Sequence, residues 1–143
     1  MAVVYFDSSA LVKLVVEEVG TDLAVELWDG CDAAVSSRLA YPEVRAALAA
    51  SRRNKDLTAR EFGDAEQAWD EFWAATRPVE FTREVEREAG HFAGAHALRG
   101  ADAVHLASAL AVGDPNLVVA VWDRRLHSGA RAERLAVAPK ALP

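Results

Sequence analysis

Residues 3–18 read Val-Val-Tyr-Phe-Asp-Ser-Ser-Ala-Leu-Val-Lys-Leu-Val-Val-Glu-Glu. The first four are β-branched or aromatic and apolar throughout, and polar residues end the run, the pattern of a buried strand. The run stops on Asp7, and an acid at the mouth of a buried strand must be solvated, paired or liganded. Ser8 or Ser9 is expected to cap a helix over about residues 10–19 that closes at Gly20, with Asp7 itself as an alternative cap.

Outward from this stretch the chain alternates between helix and strand signals. Thr21 or Asp22 opens a helix to about residue 29, and residues 33–36 form a weak strand. Pro42 is tolerated in the next helix only within its first turn, so that helix starts near Ala40 and runs to about residue 54. Thr58 opens a helix to about residue 76 in which Phe62, Ala65, Trp69, Phe72 and Trp73 recur at helical spacing, and Pro78 stops it. A short strand at 79–81 follows, then a helix capped by Thr82 and running to about residue 97. After a break at Arg99-Gly100, residues 101–112 read as a helix that is apolar apart from Asp102, His105 and Ser108. A turn at 113–116 leads into the best strand signal of the chain, 117–122, followed directly by Asp123. Residues 135–138 suggest a last strand, and 139–143 a loose tail. Apolar strands alternating with helices imply a parallel sheet covered by helices on both faces. The expectation is an α/β fold, a three-layer α/β/α sandwich around a mostly parallel sheet of four or five strands, with residues 1–143 as a single domain.

Composition narrows the function classes. The chain has 143 residues, a net charge of −6 and one cysteine, Cys31. A lone cysteine gives no intramolecular disulfide and no sign of an oxidising compartment. No apolar stretch is long enough to cross a bilayer and no secretory leader is recognisable, so a cytoplasmic protein with no membrane partner is expected. The acidic balance argues against a general nucleic-acid coat, but not against an enzyme that gathers acids around a cation.

Four acids stand in telling places. In open parallel sheets, sites form beyond the carboxyl ends of the strands. Asp7 ends the first strand and Asp123 ends the best later one. Asp102 opens an otherwise apolar helix, and Glu43 lies in the first turn of an alanine-rich one. Each has an ordinary reading alone: a cap for Asp7, a dipole partner for Asp102, a solvated side chain for Glu43, an ion pair with Arg124, Arg125 or Lys140 for Asp123. Together they would converge on one sheet edge, where like charges either keep their protons or take up a cation. Hard oxygen donors suit Mg²⁺ or Mn²⁺, and no Cys/His spacing supports zinc. Such an ion serves phosphodiester hydrolysis.

The opening stretch, with Ser-Ser-Arg-Leu-Ala-Tyr-Pro-Glu-Val-Arg-Ala-Ala-Leu (36–48), Leu-Arg-Gly-Ala-Asp-Ala-Val-His-Leu-Ala-Ser-Ala-Leu (98–110) and Val-Val-Ala-Val-Trp-Asp-Arg-Arg-Leu (118–126), resembles the PIN-domain nucleases, in particular VapC toxins of type II toxin–antitoxin pairs. The four segments together are specific and span nearly the whole chain. The resemblance implies a metal-dependent endoribonuclease using Mg²⁺, with Mn²⁺ as a substitute, an RNA substrate, inhibition by a cognate antitoxin, and a homodimer or a hetero-oligomer with the antitoxin. It makes Asp7, Glu43, Asp102 and Asp123 the catalytic, metal-holding acids, Asp7 and Asp102 most firmly. Ser8 matches the hydroxyl that follows the first acid, and Ser8 and Arg124 would serve the substrate and water network. Trp122 departs from the pattern, which often has a small hydroxyl before the last acid.

Other residues keep two readings. His105 shares a helical face with Asp102 and is read as structural or supporting rather than catalytic. The Phe62, Trp69, Phe72, Trp73 stripe is either core or, as the resemblance implies, part of an antitoxin or dimer surface. Lys13, Arg38, Arg45, Arg52, Arg53, Arg124 and Arg125 are candidates for RNA phosphate contacts. The alternative function is a non-catalytic PIN-like module that binds nucleic acid or protein, against which all four acids are present. A dehalogenase-type phosphotransferase would need an aspartate where Ser9 stands, and the acid pair and late lysine of a receiver domain are not evident.

Overall fold

The computed structural model describes residues 2–143. In chain order its elements are β1 (Val3–Phe6), α1 (Ser8–Val15), α2 (Thr21–Gly30), β2 (Ala33–Ser37), α3 (Ala40–Arg53), α4 (Ala59–Ala74), β3 (Arg77–Val79), α5 (Arg83–Ala95), α6 (Gly100–Ala111), β4 (Val118–Ala120), α7 (Arg124–Ala132) and β5 (Ala136–Ala138). The strands form one five-stranded sheet in the order β3-β2-β1-β4-β5, and every pairing is parallel.

The pleat of β1 explains why the sheet is covered on both sides. Alternate side chains of a strand point to opposite faces. Val4 and Phe6 enter one apolar cluster with Leu11, Val44, Leu48 and Trp69, contributed by α1, α3 and α4. Tyr5 enters the other, with Val85, Phe92, Leu106 and Leu126 from α5, α6 and α7. Burying an apolar side chain of this size stabilises by roughly 1.5–3 kcal/mol, so each face needs its own helical layer. The strand is central because both faces are apolar.

The chain builds β1, β2 and β3 outward to one side, then returns to place β4 against the free side of β1. Phe6 pairs with Ala120 in the register of that contact. This is the topological switch point of the sheet, and Asp7 and Asp123 lie just beyond the carboxyl ends of the two strands that flank it.

Several local expectations are corrected. Asp7, not Ser8 or Ser9, caps α1: its Oδ1 accepts the Ala10 N–H at 2.9 Å. The helix ends at Val15 rather than near residue 19, because the following backbone has other partners. Glu18 N–H donates to Thr21 Oγ1 at 3.0 Å and Thr21 N–H to the Glu18 carbonyl at 3.1 Å, closing a turn in place of another helical one. Gly20 then starts α2 from a left-handed backbone at φ +96°, where an added Cβ would stand 2.8 Å from the Trp122 indole nitrogen. Pro78 lies inside β3 instead of ending a helix, tolerated because β3 is an edge strand with a single neighbour. The strong apolar run at 117–122 gives only three strand residues, since Trp122 N–H leaves the ladder for Ser9 Oγ at 3.2 Å.

The aromatic stripe of α4 divides. Trp69 is fully buried, while Phe62, Phe72 and Trp73 pack against the same cluster partly exposed. Among the described residues, no helix is long and apolar enough to cross a membrane.

Candidate active site at the carboxyl edge of the sheet

Asp7 is the most confined of the four acids. It is 3% exposed and its Oδ1 accepts both the Ala10 N–H and the Ser9 hydroxyl, the latter at 2.6 Å. Ser9 Oγ in turn accepts the Trp122 N–H, so the first turn of α1 and the segment after β4 are laced together across the switch point. Burial pushes the Asp7 carboxyl up to about 6. His105, Ser9 and the Ala10 amide oppose that rise, and the charge of Asp123 adds to it.

Asp123 caps α7, its Oδ1 accepting the Leu126 N–H at 2.9 Å. Asp102 sits in the first turn of α6, half-buried. Its carboxyl is also held above the ordinary range, first by burial and then by the charge of Asp123, against the pull of Arg99. The sheet edge therefore holds carboxylates that raise one another's cost of ionisation.

Arg99, which the sequence marked only as part of a chain break, stands over two of these acids. Its Nε donates to Asp102 Oδ2 at 3.3 Å and its Nη2 to Asp123 Oδ2 at 3.4 Å. Its side chain is 74% exposed. The available signal was a base three residues before Asp102 at a helix start, where chain direction alone cannot say which acids it reaches.

Glu43 occupies a different environment. Its Oε1 accepts the Ser8 hydroxyl at 2.5 Å and meets His105 Nε2 at 2.6 Å. Burial works against its ionised form, but the bonds from His105 and Ser8 hold its carboxyl below the usual range. Ser8, expected to serve the substrate and water network, gives its hydroxyl proton to Glu43. His105 is 2% exposed and its Nδ1 lies 2.7 Å from the Tyr5 hydroxyl.

The basic candidates separate. Lys13 is buried against Glu18 at 2.9 Å and lies over the Trp122 ring, Arg38 pairs with Glu80, and Arg45 pairs with Glu66 and Asp70. Each of the three already has an acidic partner. Arg124 bonds the Pro143 carbonyl rather than any of the four acids. Arg124 and Arg125 nevertheless line, with Arg99, Trp122 and Asp123, an open depression of about 510 Å³ at the edge of the acid cluster.

The model of the PIN domain matches residues 4–132, from β1 to the end of α7. The chain belongs to the PIN-domain family. It is 72% identical over 142 residues to Ribonuclease VapC45 and to Ribonuclease VapC49 of Mycobacterium tuberculosis, covering 99% of each chain, which makes it a VapC-type PIN domain. Among solved structures, Mycobacterium tuberculosis VapC20, described as a sarcin–ricin loop cleaving toxin, superposes with a TM-score of 0.68 at 18% identity over 98% of this chain and 99% of that one. A toxin–antitoxin complex from Klebsiella pneumoniae superposes at 0.67 with 14% identity and the same coverage. At these identities the structural matches speak for the fold.

In this PIN domain the acids are brought to one edge but not onto one point. Among the described residues, no three acidic, histidine or cysteine side chains stand close enough to share an ion as placed. Arg99 holds two of them, and His105 and Ser8 hold a third.

Proposed function

We propose that this PIN domain is a metal-dependent endoribonuclease, the toxin of a toxin–antitoxin pair, with residues 1–143 acting as one domain. What supports the reading is that Asp7 and Asp102 both feel the charge of Asp123 at the carboxyl edge of the sheet, in a chain 72% identical to two proteins named as VapC ribonucleases.

The donor chemistry fits a hard divalent cation. All the candidate ligands are carboxylate oxygens, and two of these acids are pushed up by burial and by a neighbouring acid, a cost that a cation relieves. Arg99 already supplies positive charge to Asp102 and Asp123. Asp7, Asp102 and Asp123 would hold Mg²⁺, or Mn²⁺ in its place, with Glu43 serving a bound water or a second ion. Such an ion would make water more acidic and neutralise charge on the phosphoryl oxygens.

The chain's own residues do the rest. Ser9 and the α1 amide keep Asp7 oriented toward the edge, Arg99 and Arg124 meet RNA phosphates at the open depression, and Ser8 shares the water network beside Glu43. The reaction adds water across a phosphodiester: the water oxygen bonds to phosphorus and a sugar oxygen leaves with a proton. Arg99 also illustrates how an antitoxin would silence the site, since a guanidinium laid between Asp102 and Asp123 occupies the oxygens that an ion needs. The cytoplasm is where such a toxin meets both RNA and antitoxin, as a homodimer or bound to the antitoxin.

The test is cleavage of a panel of structured RNAs by the wild type and Asp102→Asn, in Mg²⁺, Mn²⁺ and EDTA. Metal-dependent cutting by the wild type alone, with circular dichroism unchanged, supports the proposal. A wild type that binds RNA with no cleavage under any condition would favour the non-catalytic binding module.

A further inference from the structure

We propose that Tyr5 and His105 form a buried positioning relay that sets the orientation of Glu43 from the central strands of the sheet. The inference rests on the ribonuclease reading for its effect on turnover, but its geometry stands in the protein alone.

The proton inventory can be followed through the three groups, with the Ser8 Oγ also 3.3 Å from His105 Nε2. The Tyr5 phenolic oxygen accepts the Ser37 N–H at 3.1 Å. Its own proton is then free to donate to His105 Nδ1 at 2.7 Å. An Nδ1 that accepts puts the ring proton on Nε2, and Nε2 points at Glu43 Oε1 at 2.6 Å. The tautomer follows from the partners at both ends of the ring.

The relay joins distant parts of the chain. Tyr5 is on β1, Ser37 ends β2, His105 is on α6 and Glu43 is on α3. Tyr5 and His105 pack edge to face with ring centroids 5.9 Å apart, and neither reaches solvent appreciably. Glu43 has a long side chain that would otherwise sample many rotamers. The bonds from His105 and Ser8 both fall on Oε1, which leaves Oε2 to serve the site. His105 is therefore a positioning residue. Its Nε2 is engaged by Glu43, and so it is not the group that takes a proton from water.

Two amide substitutions separate the relay from a structural role. In His105→Gln the side-chain nitrogen reaches about as far as Nε2 and keeps a donor for Glu43. In His105→Asn the amide reaches only the level of Nδ1 and lets Glu43 go. His105→Asn is expected to lower kcat by about tenfold or more with KM little changed, as is usual when a group that orients a site ligand is lost. His105→Gln should recover most of that loss. In a Glu43→Gln background, His105→Asn should cost nothing further. Equal losses for Asn and Gln, or a loss that adds in full to that of Glu43→Gln, would overturn the relay.

The second arm needs neither metal nor substrate. Nitrogen NMR of the His105 ring in the metal-free protein should show the proton on Nε2, with Tyr5→Phe raising the share of the Nδ1–H form and Glu43→Gln moving the Nε2–H resonance. A ring protonated mainly on Nδ1 in the wild type overturns the proposal. Should the wild type cut no RNA, the ribonuclease reading falls and this arm alone decides the relay.

Discussion

Two halves of the candidate site hold their acids in opposite ways. Asp102 and Asp123 share Arg99, an exposed guanidinium at 3.3 and 3.4 Å that solvent and salt can reach. Glu43 is held by His105, a buried ring at 2.6 Å that is itself held from behind by Tyr5. The first arrangement is an exposed pairing, weakly held and open to screening by salt. The second is buried, and gives Glu43 a fixed direction. Under the proposed function, the exposed half would take up the cation and the buried half would keep one oxygen aimed.

The strongest way to sharpen this contrast is Asp7→Asn, which lies between the two halves. Turnover should be lost, because an amide is a poor metal ligand. Stability should rise. The folded carboxyl takes its proton at about 6 against 3.8 for the free side chain, so between those values the folded state binds more protons than the unfolded one. The contribution of Asp7 to stability is then fully present below pH 3.8 and lost as pH rises through 6. Asparagine can still cap α1, and it lacks that loss. In the absence of metal the variant should gain about 3 kcal/mol over the wild type at pH 7 and lose the advantage near pH 4, read by urea denaturation at both pH values. Mg²⁺ should raise the melting temperature of the wild type more than that of the variant.

Tyr5→Phe tests the buried half. It leaves the Ser37 amide and His105 Nδ1 without their partner, so a loss of about 1–3 kcal/mol is expected by chemical denaturation, with little dependence on salt. Gly20→Ala strikes the support beneath Trp122. The left-handed backbone and the 2.8 Å approach to the indole should together cost about 1–2 kcal/mol in the same assay.

Arg99→Ala tests the exposed half and should have the smallest effect on stability, below about 1 kcal/mol. Its effect should appear elsewhere. The Asp102 carboxyl, already raised, should titrate higher still once the opposing guanidinium is gone, which carbon NMR of the side chain can follow. RNA binding should weaken, with a shallower salt dependence than in the wild type. If Arg99→Ala instead destabilised the fold as much as Tyr5→Phe, the contrast between the two halves would collapse.

How much was legible depended on how local the cause was. The Val3–Phe6 strand, the helix start near Ala40 and the Thr82 cap follow from neighbouring residues, and the structure has them there. The Thr58 start carries a reciprocal capping box with Glu61. Boundaries failed where a distant partner intervened. Trp122 leaves its strand for Ser9, 113 positions away in sequence, and no pattern around 117–122 reveals that. Lys13, Arg38 and Arg45 read as free bases because their acidic partners are set by how the chain folds back. The acids were legible as a set because each sits at an element boundary, where a charge is conspicuous beside an apolar run.

The amino-acid sequence by itself determined the alternation of strands and helices, the two-sided burial of β1 and the placing of Asp7, Glu43, Asp102 and Asp123 at element ends, because periodicity and capping act over a few residues. Only the tertiary structure decided which of them face one another. It placed Arg99 between Asp102 and Asp123, gave Ser8 to Glu43 instead of Asp7, and set His105 against a carboxylate 62 positions away. The physical reason is that hydrogen bonds and charges act on distance in space, and for residues on different helices that distance is settled only when both sides of the sheet have packed.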